Sequence, residues 1–283
     1  MIPIALTIAG SDPSGGAGLQ ADLKVFSALG AYGTSVVTAL TAQSTRGVSA
    51  VHCPPPEFLE SQLDELLADV RIDTVKIGML GDARLVEAVA DRLTRHRPRY
   101  VVLDPVMVAK SGDRLLAADS VAALRTRLLP LVDLVTPNLP EAAELLGEEE
   151  AGDEAAMHEQ VRRLAELCPR VLLKGGHLAG ADSVDLFLEE GSISRLSAPR
   201  VRTENTHGTG CALSSAIAAL RPQRPEWHSA IADAKGYLAE ALRHADTLRV
   251  GTGHGPPSHF HAWWPSRAEA DRTDPVGSDV IPS

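Results

Sequence analysis

The sequence predicts an α/β fold, with a mostly parallel central sheet and helices on both faces. Three observations carry this reading. Apolar runs of strand length alternate with segments of helical period, the pattern of β-α units around a parallel sheet. The runs Val101-Val102-Leu103 and Val171-Leu172-Leu173 lack polar alternation, as strands covered on both faces do. Finally, Ser11, Asp12, Gln43, Met79, Asp104, Asn138 and Lys174 all fall at the carboxyl ends of expected strands, where ligands gather in such sheets.

Taken in order, a strand is expected over 4–10 and a helix over 18–29, then a strand over 35–42 and a helix over 56–70. Strands over 74–80 and 100–106 alternate with helices over 83–94 and 120–131. A short strand over 134–136 precedes helices near 141–146 and 154–167, and a strand follows over 171–173. The runs 184–188 and 193–196 suit a hairpin across Gly191, and two helices close the fold. With 283 residues, 44% of them hydrophobic, the chain suits one large domain over 1–265. Residues 266–283 are rich in Pro, Asp, Arg and Ser with hardly any large apolar side chain, so they read as a disordered tail.

The formal net charge of −10, from 37 acidic and 27 basic residues, leaves no basic face for a polyanion, and no nucleic-acid partner is expected. Cys53, Cys168 and Cys211 lie far apart, which fits a reduced compartment rather than a disulfide framework or cysteine-built zinc site. The apolar run 2–9 is too short for a signal peptide, and no stretch reaches membrane-spanning length, so a cytoplasmic protein with no membrane partner is expected.

Near the end of the chain, Gly208, Thr209, Gly210 and Cys211 open an apolar helical run. Backbone N–H groups at a helix start form an anion site, reinforced by about half a positive charge from the aligned peptide dipoles. Two glycines permit close approach. In that field the Cys211 thiol is expected below its free pKa of about 8.5, as a proton acceptor or polar partner for a substrate hydroxyl. A plain glycine turn with a packing cysteine is the competing reading, and a Cys-His nucleophile using His207 or His177 is a third. The glycine-dense loop 10–18 also implies close backbone approach to a ligand. Its Gly16-x-Gly18-x-x-Ala21 spacing is a poor dinucleotide fingerprint, because no glycine of it ends the strand and no ribose-binding acid follows Ala42.

Asp104 and Glu141 are carboxylates on one rim and suit a magnesium ion bridging nucleotide phosphates, although each could serve only as a turn or helix-start charge. Lys174, between an apolar strand and two glycines, could neutralise phosphate or be an edge lysine kept for solubility. His254, His259 and His261 with Trp263 and Trp264 read better as a packed aromatic segment than as a metal tract.

Eight segments agree in order with one family. They include Ile8-Ala9-Gly10-Ser11-Asp12 with Gly15-Gly16-Ala17-Gly18, Thr41-Ala42-Gln43, Lys76-Ile77-Gly78-Met79, Asp104-Pro105-Val106-Met107-Val108-Ala109-Lys110-Ser111-Gly112 and Thr136-Pro137-Asn138-Leu139-Pro140-Glu141. Leu173-Lys174-Gly175-Gly176-His177, Asn205-Thr206-His207-Gly208-Thr209-Gly210-Cys211 and His259-Phe260-His261-Ala262-Trp263-Trp264 complete the series. Over about residues 4–264 the chain resembles the bacterial hydroxymethylpyrimidine and phosphomethylpyrimidine kinases of thiamine biosynthesis, enzymes of ribokinase-like fold. The resemblance implies two successive ATP-dependent transfers, to a pyrimidine alcohol and then to its monophosphate. It implies that Gln43 and Asp22 bind the aminopyrimidine edge, that Gly10, Met79 and Val106 line the pocket, and that Gly208, Thr209, Gly210 and Cys211 do the catalysis. Asp104 and Glu141 would serve Mg²⁺, and Asn138, Lys174 and Lys235 the ATP phosphates. A homodimer is implied as well. Pro13 and the tail beyond Trp264 depart from the family pattern. A cysteine stands where sugar kinases of this fold carry an aspartate base, which leaves pyridoxal and pyridoxine kinases as the nearest alternative, with a non-catalytic pyrimidine sensor as another.

Overall fold

The computed structural model describes residues 1–107 and 118–264. The tail expected over 266–283 and the motif residues 108–112 lie outside the described residues. Strands and helices follow in the order β1 (Ile4–Ser11), α1 (Gly18–Ala28), β2 (Tyr32–Ser44), β3 (Gly47–His52), α2 (Pro56–Asp69), β4 (Thr74–Ile77), α3 (Ala83–His96), β5 (Val101–Leu103) and α4 (Ala118–Ala123). They continue with β6 (Leu134–Val135), α5 (Leu139–Leu146), α6 (Glu154–Leu164), β7 (Arg170–Lys174), β8 (Asp182–Glu189), β9 (Ser192–Pro199), α7 (Thr209–Leu220) and α8 (Trp227–Arg243).

Among the described residues the strands form one sheet in the order β3-β2-β1-β4-β5-β6-β7-β8-β9. The run from β2 to β7 is parallel, while β3, β8 and β9 add antiparallel edges. Strand order reverses direction around β1 and β4, and in an open parallel sheet that reversal opens a crevice at the carboxyl ends of the strands.

Alternation along each strand divides the core in two. Leu6, Ile8, Val101, Leu103, Val171 and Leu173 pack with residues of α2 through α6. Their neighbours Ala5, Val102 and Leu172 pack with α1, α7 and α8. Helices therefore cover both faces. Several start where a short polar side chain replaces missing backbone partners: Asp82 accepts from the Arg84 and Leu85 N–H groups at α3, and Asp153 from Ala156 at α6. At α5 Asn138 and Glu141 form a reciprocal capping box, and Gly147 at φ 72° ends the helix.

Five segments depart from the expectations. The strands expected over 74–80 and 100–106 end at Ile77 and Leu103, before Gly78 and before Pro105, which has no N–H to give a ladder. The helix expected over 120–131 loosens into a π turn at Leu124–Leu128 and tightens into a 3-10 turn at Leu129–Leu131, where Pro130 cannot donate. Strand β3 has no apolar alternation and is mostly exposed; its pairing with an extended β2 defines it. In the closing segment His261 stacks on His244 at 5.4 Å and lies 5.6 Å from Tyr237, and the Trp264 ring lies 5.1 Å from Phe260, but Trp263 and Trp264 remain largely exposed.

Candidate active site

A cavity of about 930 Å³ opens at the carboxyl ends of the strands. Its wall includes every site residue singled out from the sequence except Asp22: Gly10, Gln43, Met79 and Val106 on one side, Asp104, Asn138, Glu141, Lys174 and Lys235 on another, and the turn 208–211 between them. Residues at or just beyond the carboxyl ends of the six parallel strands β1, β2, β4, β5, β6 and β7 thus converge with the turn after β9 and with α8 on one space, which is what a ligand site on a parallel sheet requires.

The helix start is built by contact between two backbones. Gly208 has φ 78°, and a Cβ there would collide with the Gly16 carbonyl. Gly18, at φ 56°, is pressed in the same way against the Gly10 carbonyl. Only glycine meets both demands. The first intrahelical bond runs from the Ala212 N–H to the Gly208 carbonyl at 2.8 Å, so the Gly210 and Cys211 N–H groups lie ahead of the helical ladder. A Cβ on Gly210 would sit 3.4 Å from Lys174 Nζ and 3.6 Å from Asp104 Oδ2, which places the amide turn beside a lysine and a carboxylate.

The loop 10–18 owes its shape to Asp12. This buried carboxylate accepts from Ser14 N–H (2.9 Å), Ser14 Oγ (2.7 Å) and Ala17 N–H (2.8 Å), and lies 2.8 Å from His207 Nε2. Burial pushes its pKa up, but the bonds from His207, Ser14 and Ala17 outweigh that and hold it below the usual carboxylate value. His207 therefore turns to Asp12 and not to Cys211, which removes the support for a Cys-His pair through that residue. Gln43 lies 3.4 Å from the same ring nitrogen and accepts from Thr41 Oγ1 at 3.1 Å.

Lys174 is not an edge lysine. Strand β7 lies inside the sheet, the Lys174 side chain is 14% exposed, and its Nζ lies 3.0 Å from Asp104 Oδ1 and 4.0 Å from Glu141 Oε2. Burial works against its charge, yet the two carboxylates raise its pKa. Asp104 behaves conversely: burial disfavours its charge, but Lys174 and Lys76 hold it ionised. Glu141 is pushed up to about 7, first by burial and further by Asp104, against the pull of Lys174. Lys235 reaches the cavity from α8 with its ammonium paired to Asp185.

Asp104 Oδ2 is buried without a partner. One open carboxylate oxygen beside a second carboxylate fits Mg²⁺, which keeps much of its water and takes few protein ligands. Among the described residues no group of three or more His, Cys, Asp or Glu side chains is placed to hold a metal.

Two expectations are corrected. Asp22 does not face the cavity: it is fully buried beneath it, bonded to Lys76 Nζ at 2.9 and 3.0 Å, Thr7 Oγ1 at 2.6 Å and Ser215 Oγ at 2.6 Å. Cys211 is not acidified. Burial pushes its thiol up to about 11; Lys76 and the Gly18 amide oppose this, while Asp104 and Asp22 add to it. Desolvation of a thiolate between two carboxylates exceeds what one helix end supplies. Lys76 is a residue whose role the sequence concealed, because a lysine inside a strand reads as a surface charge. Asp12 stood out at the end of its strand, but its part in shaping the loop 10–18 rests on His207, 195 residues away in the chain.

A family model described as phosphomethylpyrimidine kinase matches residues 12–258. The hydroxymethylpyrimidine/phosphomethylpyrimidine kinase of Escherichia coli (strain K12) is 60% identical over 262 residues, covering 92% of this chain and 98% of that one. The crystal structure of an ADP complex of Bacillus subtilis pyridoxal kinase superposes with a TM-score of 0.85 at 32% identity, over 93% of this chain and 99% of that one. A phosphomethylpyrimidine kinase structure from Clostridium difficile 630 gives 0.75 at 38% identity, over 85% and 99%.

The raised thiol pKa has a measurable consequence. Alkylation of Cys211 by iodoacetamide, followed by mass spectrometry of its peptide, should accelerate about tenfold per pH unit from about pH 8 to about pH 10, because only the thiolate reacts. A rate already level below about pH 8 would show an acidified thiol instead.

Proposed function

Because the chain belongs to the phosphomethylpyrimidine kinase family, we infer that it is an ATP-dependent kinase of thiamine biosynthesis. It phosphorylates the hydroxymethyl oxygen of 4-amino-5-hydroxymethyl-2-methylpyrimidine and then the resulting monophosphate. One observation carries the reading at the level of geometry: Gln43 and the helix start 208–211 open onto the same cavity, so a small polar ring and a migrating phosphoryl group share one space. Pyridoxal kinase shares the fold, but at 32% identity against 60% for the pyrimidine kinase.

The residues divide by chemistry. The Gln43 amide offers one donor and one acceptor side to an aminopyrimidine edge, while Gly10 and Met79, whose Cε would lie 3.3 Å from a Cβ on Gly10, close with Val106 around the ring. Phosphoryl transfer asks a protein mainly for position and charge stabilisation. The Gly210 and Cys211 amides, the turn at Gly208 and Thr209, and the Lys174 ammonium supply both beside the migrating group. Asn138 spends its Oδ1 on the Glu141 N–H at 2.8 Å, which leaves its NH₂ as the donor for nucleotide phosphates, with Lys235 as a further cation. Asp104 and Glu141 would hold Mg²⁺, which when bound neutralises charge on the nucleotide phosphates.

The first acceptor is a hydroxyl and must lose a proton; the second is a phosphate oxygen, ionised near neutral pH. A thiol with a pKa of about 11 is protonated there, so Cys211 serves as the hydrogen-bonding partner of the attacking oxygen and not as a resident base. In a loose transition state the hydroxyl proton leaves late, passing to an oxygen of the arriving phosphoryl group, so a strong base is not required.

The same family membership supports a homodimer in the cytoplasm. Tyr32, Leu40, Val51 and Phe58 are exposed apolar side chains on β2, β3 and α2, and exposed apolar side chains of this size can be covered by a second copy. Light scattering should read twice the chain mass, and a reading of one chain mass at micromolar concentration would remove the dimer. Incubation with the pyrimidine alcohol, ATP and Mg²⁺ should yield the monophosphate and then the diphosphate, with ADP. Cys211→Ser should keep the first transfer within about tenfold, whereas Cys211→Ala should lose about 100-fold there and far less in the second. Equal loss in serine and alanine would point to thiolate chemistry. Gln43→Leu should weaken pyrimidine binding by about 1–3 kcal/mol, and unchanged affinity by calorimetry would reject that role.

A further inference from the structure

A complete ion pair lies in the core directly under the site. On β4, Val75 and Ile77 face the layer of α2 to α6, while Lys76 points the other way, beneath α1 and α7, and is 0% exposed. Its Nζ lies 2.9 and 3.0 Å from the two oxygens of Asp22 on α1. A side chain on Gly78 would crowd the same amine at 2.8 Å, so the ammonium has one place to be. Asp22 also accepts from Thr7 on β1 and from Ser215 on α7, each at 2.6 Å. Ser215 stands four residues after Cys211, one turn along the same helical face.

A buried ion pair is seldom retained for stability alone, since apolar residues of similar volume serve the core as well or better. This one joins β1, β4, α1 and α7 at a point one turn from the phosphoryl-binding amides. An α-helix packed mainly by small residues, as α7 is with its Ala and Ser run, can rotate or slide at little cost unless a directional bond fixes it. A displacement of about 1 Å in such donors can cost about 100-fold in rate.

Resting on the kinase reading above, we propose that the Lys76–Asp22 pair is a positioning element for phosphoryl transfer, fixing through Ser215 the rotation and depth of α7 and with them the aim of the Gly210 and Cys211 amides. Pyrimidine binding through Gln43 is a separate contact. The pair therefore acts on the rate of transfer and not on affinity for the acceptor.

Ser215→Ala cuts the link and leaves the pair intact. It should lower kcat at least about tenfold in both transfers, keep KM for the pyrimidine within about twofold, and leave the thermal midpoint close to that of the parent. Parental kcat in this variant, or a loss confined to KM, overturns the proposal. Should Ser215→Ala prove unstable, the double variant Asp22→Asn with Lys76→Met decides. It removes both charges together, and is expected to fold and to lose about 100-fold in kcat. Parental turnover in the double variant overturns the proposal, and so does its failure to fold, since the pair is then structural. The parent protein is assayed alongside: absence of any turnover by the parent would overturn the kinase reading itself, an outcome distinct from an active parent with an indifferent Ser215→Ala.

Discussion

The contact between the Gly16 carbonyl and Gly208 is the constraint on which the site depends. Two stretches of backbone separated by most of the chain meet there with no side chain between them, and Gly18 repeats the arrangement against the Gly10 carbonyl. A helix start attracts an anion only if the anion can reach its amides. Had Gly208 carried a Cβ, the loop 10–18 and the turn 208–211 would be pushed apart, and the amides of Gly210 and Cys211 would no longer border the space that holds Gln43. Asp12 secures the arrangement from one side by gathering Ser14, Ala17 and His207.

Around that contact the charges are arranged by depth. Asp22 and Lys76 lie wholly inside and cancel one another. Asp104, Glu141 and Lys174 line the cavity, where two carboxylates share one ammonium and burial pushes one of them, Glu141, up to about 7. An excess of carboxylate with one oxygen left open is the condition under which a divalent cation is welcome. The Cys211 thiol sits between these layers, and its environment resolves in favour of the neutral form. A neutral thiol in this place is suited to orient a hydroxyl rather than to take its proton.

The α/β class, the mostly parallel sheet and its covering helices were legible in the sequence because they follow from local periodicity and from the absence of polar alternation in buried strands. The turn 208–211, Gln43, Asp104, Asn138, Glu141 and Lys174 were legible as candidates for a related reason: polar residues at strand ends and glycines before an apolar helix are unusual locally. Strand β3 was not, because an exposed edge strand has no apolar alternation and exists through its partner. Asp22 was misplaced because its motif neighbours do reach the cavity while its own side chain, on α1, points down toward β4.

What the sequence by itself determined is the identity of the elements and the inventory of groups at their ends. Tertiary structure alone decided which of those groups face the same space and in what ionisation state. Lys76 illustrates the reason. Nothing within its own strand marks it as buried, and only the approach of α1 and α7, with Asp22 and Ser215, makes a charge at that depth tolerable. Burial and partnership are properties of distant segments brought together, and pKa follows from them. Local sequence therefore specified the chemical groups available, and the packing of the sheet and helices specified what those groups can do.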